Sequence, residues 1–336
     1  MSRVVLAVDG NSIVHRCFHS QARTGFRSVD GRPRWAVRGL LSQLVAAADR
    51  LAPDAIVVGF DDPDASVRRE RWPQYKAQRA EKLGTLVEQL DAAAEVLRAL
   101  GIAVVVPPGW EADDVLASVA RQAPAAGATT VVMTSDRDAF GLIDDHTRVL
   151  RIINGGVDAS PLLTPDRLVT LLGVHPGQYP DFAALRGDPS DNLPGVRGFG
   201  PRTAARLLAA LGGAEEAFAD LDAGGTRVVA AVGPACAARL AGSRASWERN
   251  RQVMAMRDDV EIDLDAGHLP LPVDAVRAAF VALDLPWTAA TALRVLAHDE
   301  TAPPPPPRAL LGCSTLNWPH RSSRFWPHQG SGVVRV

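Results

Sequence analysis

Along the N-terminal half of the chain, short runs of successive apolar residues alternate with longer stretches whose apolar positions recur at helical spacing. Val4–Val8, Ala55–Phe60, Ile102–Val106 and Thr130–Thr134 are rich in Val and Ile, the pattern of strands buried on both faces. Ala36–Leu51 and Thr85–Leu100 read as amphipathic helices, the second closed by Gly101 at a C-cap position. This alternation predicts an α/β fold, a mainly parallel central sheet flanked by helices. After residue 163 the strand runs fade. Thr164-Pro165-Asp166 forms an N-cap, a first-turn proline and an acidic first turn, and Gly173 ends that helix. Short helical patterns broken by Gly and Pro follow. The expected division is a first domain over 1–163, a helical domain over 164–298 and a tail over 299–336. The tail carries Pro303–Pro307 and a Ser/Pro/His/Arg-rich stretch, so it is expected to be disordered. Its Trp318 and Trp326 mark it as the expected contact for a protein partner.

Length and composition narrow the class. At 336 residues, 47% apolar and 22% charged, the chain has the make-up of a globular protein of two domains. No run approaches the roughly 20 apolar residues of a membrane span, and the apolar stretch before Asp9 is too short for a signal-peptide core. A cytoplasmic monomer is expected. Cys17, Cys236 and Cys313 are odd in number and far apart, against a disulfide framework or a Cys-rich zinc site. The formal charge of −2 looks unfavourable for a nucleic-acid binder, but it sums two separate concentrations of opposite sign.

The negative concentration lies where strands end. The first strand runs into Asp9, the second into Asp61 and Asp62, and the fourth into Asp136 and Asp138. The third leads through Pro107–Trp110 into Glu111, Asp113 and Asp114 at the start of a helix. Ligands of open parallel sheets bind beyond the carboxyl ends of the strands. Any one of these acids can be a helix cap or turn residue. Together they repel one another unless cations neutralise them, and oxygen ligands without His or Cys point to Mg²⁺ or Mn²⁺. Asp188 and Asp191, in a Gly/Pro/Ser turn, suggest a second ion, and two ions about 3.5–4 Å apart suit phosphodiester hydrolysis.

The positive concentration has three parts. Ser66–Lys82 holds Arg68, Arg69, Arg71, Lys76, Arg79 and Lys82, interleaved with Trp72 and Tyr75, and contains both lysines of the chain. Such a run suits backbone contacts with base stacking. Gly195-Val196-Arg197-Gly198-Phe199-Gly200, followed by Pro201-Arg202-Thr203 and Arg206, reads as a helix-hairpin-helix turn whose amides and helix N-terminus take a phosphate. Arg239–Arg257 is a third basic run. No Walker-type loop or nucleophile elbow is present.

These segments, VDGNSIVHR, VGFD, YKAQR, EADD, TSDRD and GDPSDNLPGVRGFGPRTA, resemble in order and spacing the 5′-nuclease (flap endonuclease) superfamily, over residues 1 to roughly 300. The likeness is to the 5′–3′ exonuclease domain found at the N-terminus of bacterial DNA polymerase I, and a stand-alone enzyme is expected. The resemblance implies a 5′-nuclease core with a basic arch around residues 66–100 and a helix-hairpin-helix domain. It implies a 5′–3′ exonuclease and flap endonuclease of replication and repair, acting with two Mg²⁺ or Mn²⁺ ions on DNA with a 5′ end or flap. Asp9, Asp61, Glu111, Asp113 and Asp114 would form the first metal group, and Asp136, Asp138, Asp188 and Asp191 the second. Lys76 and Arg79 would contact the scissile phosphate from the arch, with Tyr75 as a stacking residue and Arg68 on the DNA. Gly195, Arg197, Gly198, Gly200, Arg202 and Thr203 would grip the duplex, with K⁺ on backbone carbonyls of the hairpin. Arg137 stands where Lys is usual, Asp62 and Trp35 where small residues are usual. A non-catalytic structure-specific DNA-binding protein and a PIN-type ribonuclease are the alternatives.

Overall fold

The apolar run beginning at Arg3 forms the strand on which the molecule is built: Val5, Leu6, Ala7 and Val8 are wholly buried. Burying each large aliphatic side chain favours folding by about 1.5–3 kcal/mol. The computed structural model describes residues 3–302. The tail from Pro303, with Trp318 and Trp326, lies outside the described residues.

In chain order the first layer comprises β1 (Arg3–Asp9), α1 (Gly10–Gln21), α2 (Trp35–Leu51), β2 (Ala55–Gly59), α3 (Val67–Arg71), α4 (Gly84–Ala99), β3 (Ala103–Val105), α5 (Ala112–Gln122), β4 (Ala128–Thr134), β5 (Thr147–Arg151), α6 (Gly156–Ala159) and β6 (Leu162–Leu163). The sheet order is β3-β2-β1-β4-β5-β6, parallel except for β6. The strand order reverses between β1 and β4, so the carboxyl ends of those strands open a crevice. α2 buries Val37, Leu40, Leu41, Leu44 and Val45 against one face of the sheet, at helical spacing. α5 buries Val115, Leu116 and Val119 against the other.

The helical layer follows: α7 (Pro165–Leu172), α8 (Tyr179–Arg186), the two-residue strands β7 (Gly187–Asp188) and β8 (Leu193–Pro194), α9 (Pro201–Leu211), α10 (Ala214–Asp222), α11 (Thr226–Val232), α12 (Pro234–Ala241) and α13 (Arg244–Met254). Thr164 caps α7 and Gly173 ends it in the left-handed conformation, as its sequence requires. Then the chain returns. His268 bridges Ala55 beside β2, and α14 (Val273–Ala282) and α15 (Pro286–Leu296) place Val276, Phe280, Leu293 and Leu296 in the same core as α2. The expected helical domain over 164–298 is therefore divided, because its last segment completes the core of the first domain. The expected arch over 66–100 is also shorter. α4 is a core helix, burying Leu86, Leu90, Ala93 and Leu97, and only the segment up to Leu83 crosses the crevice.

β7 and β8 pair antiparallel and present the turn that carries Asp188 and Asp191. Their approach needs two glycines. A Cβ on Gly195 would lie 2.1 Å from the Arg186 carbonyl oxygen, and one on Gly187 2.2 Å from the Gly195 amide nitrogen. Gly195→Ala should cost about 1–3 kcal/mol by forced backbone displacement, read as a lower urea midpoint. An unchanged midpoint would show that the turn is not fixed by this contact.

Candidate metal and nucleic-acid site

Asp9 closes β1 and caps α1 at once: its Oδ1 accepts from the Ser12 amide at 2.8 Å and its Oδ2 from the Thr134 hydroxyl at 2.7 Å. The ordinary cap and the crevice carboxylate are thus the same residue. Asp61 follows β2 and accepts from the Asn11 side chain at 2.7 Å and the Ala112 amide at 3.0 Å. Glu111 and Asp113 enter at the start of α5, Asp136 and Asp138 just after β4. The β7–β8 turn brings Asp188 and Asp191 over the same edge, and one carboxylate oxygen each of Asp138, Asp188 and Asp191 lie within 4.8 Å of one another.

The electrostatics of this edge are those of crowded acids. Burial, and then Asp61 and Asp136 nearby, push the Asp9 carboxyl up to about 7, well above its usual 3.8. Burial, then Asp136, Asp188 and Asp191, do the same to Asp138, also to about 7. Asp113 is raised by burial and by Asp9, Asp136, Asp138 and Glu111, which places it between the two expected groups. Its Oδ1 is buried with no hydrogen-bond partner among the described residues. Buried polar atoms are nearly always partnered. An orphaned carboxylate oxygen beside three convergent aspartates, all hard oxygen donors, fits a divalent cation such as Mg²⁺.

Basic residues close over the edge. Lys76 adopts φ +56°, and its amide donates to the Asp191 carbonyl at 3.0 Å. Its Nζ reaches Glu111 Oε1 at 2.7 Å. Arg79 pairs with Asp191, and Lys82 Nζ stands 3.9 Å from Asp61. Both lysines of the chain therefore face the acidic crevice. Burial opposes ionisation of Glu111, but Lys76 and Arg68 outweigh it and hold this carboxyl below its usual range.

Three expected site residues are placed otherwise. Asp114 is wholly buried and binds Arg68 through both oxygens, at 2.6 and 2.7 Å, while also accepting the Glu111 and Arg257 amides. It has no oxygen left for the crevice. Arg68 is correspondingly buried, 4% exposed, donating to the Val253 and Ala255 carbonyls as well, so its guanidinium is turned into the interior. Tyr75 is 6% exposed and turns its hydroxyl inward to Glu111 at 3.0 Å, so its ring is not a free stacking platform. Asp62, standing where a small residue is usual, ties down the loop between β3 and α5 by accepting from the Gly109 amide at 2.6 Å.

In the hairpin, Val196 and Phe199 are buried and Arg197, Gly198, Gly200 and Arg202 exposed. Gly200 precedes the α9 N-terminus, with Thr203 in its first turn. Gly198 takes φ +86° and lies against the Arg239 guanidinium. The third basic run is less available than its charge suggests: Arg244, Arg251 and Arg257 are paired with Asp222, Asp181 and Asp259.

The profile of the 5′-3′ exonuclease N-terminal resolvase-like domain matches residues 4–170, and that of the 5′-3′ exonuclease C-terminal SAM fold matches residues 174–275. The chain belongs to the 5′-3′ exonuclease family. It is 40% identical over 258 residues to DNA polymerase I of Mycobacterium tuberculosis, covering 77% of this chain and 28% of that protein. The thermostable DNA polymerase I of Thermus aquaticus is 36% identical over 261 residues, covering 78% and 29%. The chain thus spans under a third of the length of these relatives. Among solved structures, a T5 5′-exonuclease with zinc ions bound is similar at TM-score 0.61 and 20% identity, covering 88% of this chain and 100% of that one. The catalytic core of Rad2 in complex with DNA substrate is similar at TM-score 0.52 and 16% identity, covering 88% and 91%.

Proposed function

We propose that this chain hydrolyses phosphodiester bonds of DNA at or near 5′ ends and flaps, with two divalent ions, Mg²⁺ or Mn²⁺, as a 5′–3′ exonuclease and flap endonuclease of replication and repair. The observation that carries this reading is the crowding of Asp9, Asp113, Asp138, Asp188 and Asp191 at one sheet edge beneath Lys76 and Arg79, in a chain of this family. Asp138, Asp188 and Asp191, with Asp136, would hold one ion. Asp113, with Asp9, Asp61 and Glu111, would serve the other. Bound there, divalent ions supply an acidified water and neutralise charge on the phosphodiester. Lys76 and Arg79, freed from Glu111 and Asp191, contact the phosphate and stabilise charge developing on it.

The hairpin supports duplex binding. Its exposed Gly198 and Gly200 stand at the N-terminus of α9 between Arg197 and Arg202, a setting that suits a backbone phosphate. Among the described residues no donor reaches the Arg197 and Gly198 carbonyls, which leaves them available to K⁺. One chain carries both crevice and hairpin, so a monomer suffices. No described helix is long and apolar enough to cross a membrane. Free Cys17 and Cys236 suit work in the reducing cytoplasm.

Lys76→Ala should lower single-turnover cleavage about 10²–10³-fold while flap affinity changes only a few-fold. A pure affinity loss would assign Lys76 to binding. The substrate is tested by comparing labelled flap DNA with single-stranded RNA in Mg²⁺ and Mn²⁺. Cleavage confined to flap DNA is expected. Faster cleavage of the RNA would favour a ribonuclease, and binding without cleavage a structure-specific DNA-binding protein.

A further inference from the structure

Beyond the acidic edge, on the β5 side, the fold gathers three arginines that no basic run of the sequence unites. β4 and β5 pair in parallel with Thr134 opposite Arg151, and the Ile152 amide donates to the Thr134 carbonyl at 2.8 Å. Arg137 follows β4 by three residues. The N-terminal turn of α1 is tied to the same loop through the Ser12 and Ser135 hydroxyls, 2.5 Å apart. One turn further along α1, Arg16 reaches over the end of β5 to the side-chain Oδ1 of Asn154 at 2.8 Å. Arg16, Arg137 and Arg151 thus converge from three elements beside Asp136.

Asp136 is the carboxylate near them, and none of the three is ion-paired among the described residues. Arg16 meets a neutral amide, Arg137 is exposed, and Arg151 lies against the Phe140 ring, 5.9 Å from its centroid. Among the described residues none of the three has a carboxylate within ion-pair distance, whereas Arg68, Arg79, Arg121, Arg244, Arg251 and Arg257 each do. The Nε of Arg151 is buried without a partner. Burial, then the nearby Arg137 and Arg16, hold the Arg151 guanidinium below its usual range. Three guanidiniums held together beside one carboxylate, Asp136, carry a self-repulsion that a further anion relieves, and planar guanidinium groups match phosphate oxygens.

We infer that Arg16, Arg137 and Arg151 form a phosphate site for the backbone of a nucleic-acid strand leaving the acidic crevice over the β4–β5 edge. Lys76 and Lys82 meet Glu111 and Asp61, which follow β3 and β2, on the other side of β1 from β5. A strand crossing the carboxylates would then be held by cations on both sides, with its polyanionic backbone bridging them. The site reads no sequence, since it offers only charge to the backbone. It rests on the reading of DNA as the substrate.

The test measures affinity for a fluorescent 5′-flap DNA against salt, in an Asp138→Asn background with Mg²⁺ so that binding is read without turnover. Replacing both Arg137 and Arg151 by Gln should weaken binding about tenfold or more at moderate salt. It should also reduce the slope of log K against log salt by about 0.9 for each phosphate that the protein no longer neutralises. Arg151→Lys should retain most of the slope. The Gln variants should melt no lower than their background, because removing a like charge relieves repulsion. Unchanged affinity and slope would overturn the site, as would an affinity loss accompanied by a lower melting temperature, which marks a structural role. If the background protein itself does not bind flap DNA, the nuclease reading and the site fall together.

Discussion

Asp138→Asn should abolish flap cleavage, by about 10³-fold or more, and at the same time stabilise the metal-free protein. Loss of one ligand carboxylate removes charge that the divalent ions require, while the neighbouring Asp136, Asp188 and Asp191 lose a repelling partner. Active sites commonly hold such a conflict between stability and activity. The pH dependence has a definite sign. Asp9 and Asp138 bind their protons more tightly in the folded protein, at about 7 against the usual 3.8. Their protonation therefore favours the folded state fully below about pH 4, and that contribution disappears as the pH rises through 7. In chelator, the wild type should lose more melting temperature between pH 5.5 and 8 than Asp138→Asn does. At pH 8 the variant should be more stable by on the order of 1–3 kcal/mol. Wild-type cleavage by the variant would remove Asp138 from the site, and equal pH profiles would show that its crowding is relieved otherwise.

Arg68→Ala should be the most destabilising single change outside the apolar core, at about 3–5 kcal/mol, because it leaves Asp114 ionised and unpaired in the interior. Arg68 donates to Asp114, Glu111, Val253 and Ala255, so it joins the crossing segment, the start of α5 and the chain leaving α13. Burial opposes its charge, and Asp114 and Glu111 outweigh that and hold it above its usual range. Lysine cannot reproduce the planar two-pronged contact, so Arg68→Lys should recover little of the loss. The measurement is the urea midpoint and slope at neutral pH. A loss below about 1 kcal/mol would mean that water reaches Asp114 and that the pair is worth no more than a surface bridge.

The strands are legible in the sequence because they are buried on both faces and so read as unbroken apolar runs. The acids at their ends are legible for a related reason, since parallel strands deliver their carboxyl ends to one edge. Arg68 and Asp114 are not. In the sequence Arg68 sits in a run of charge that resembles a solvated face. Its burial depends on the Val253–Ala255 backbone, 185 residues further along at Val253. Tyr75 looks like a stacking aromatic for the same reason, and it is the distant Glu111, Leu193 and Val253 that hold it inward. β5 escapes a pattern reading because Val149 and Leu150 lie between Arg148 and Arg151, giving too short an apolar run. With β5 go Arg151 and the cluster it completes. The return of 268–297 to the first core leaves no local mark, as its helices have the same amphipathic pattern whichever core they join.

The central claim is that this acidic edge works through divalent cations on DNA with a 5′ end. It is tested most directly by the single-turnover rate of cleavage of a labelled 5′-flap against Mg²⁺ concentration at constant ionic strength. Two cooperating ions predict no cleavage in chelator and a rate rising more steeply than the first power of Mg²⁺ at low concentration. Cleavage that persists in chelator, or a flap that is bound yet uncut at every Mg²⁺ and Mn²⁺ concentration, would contradict it.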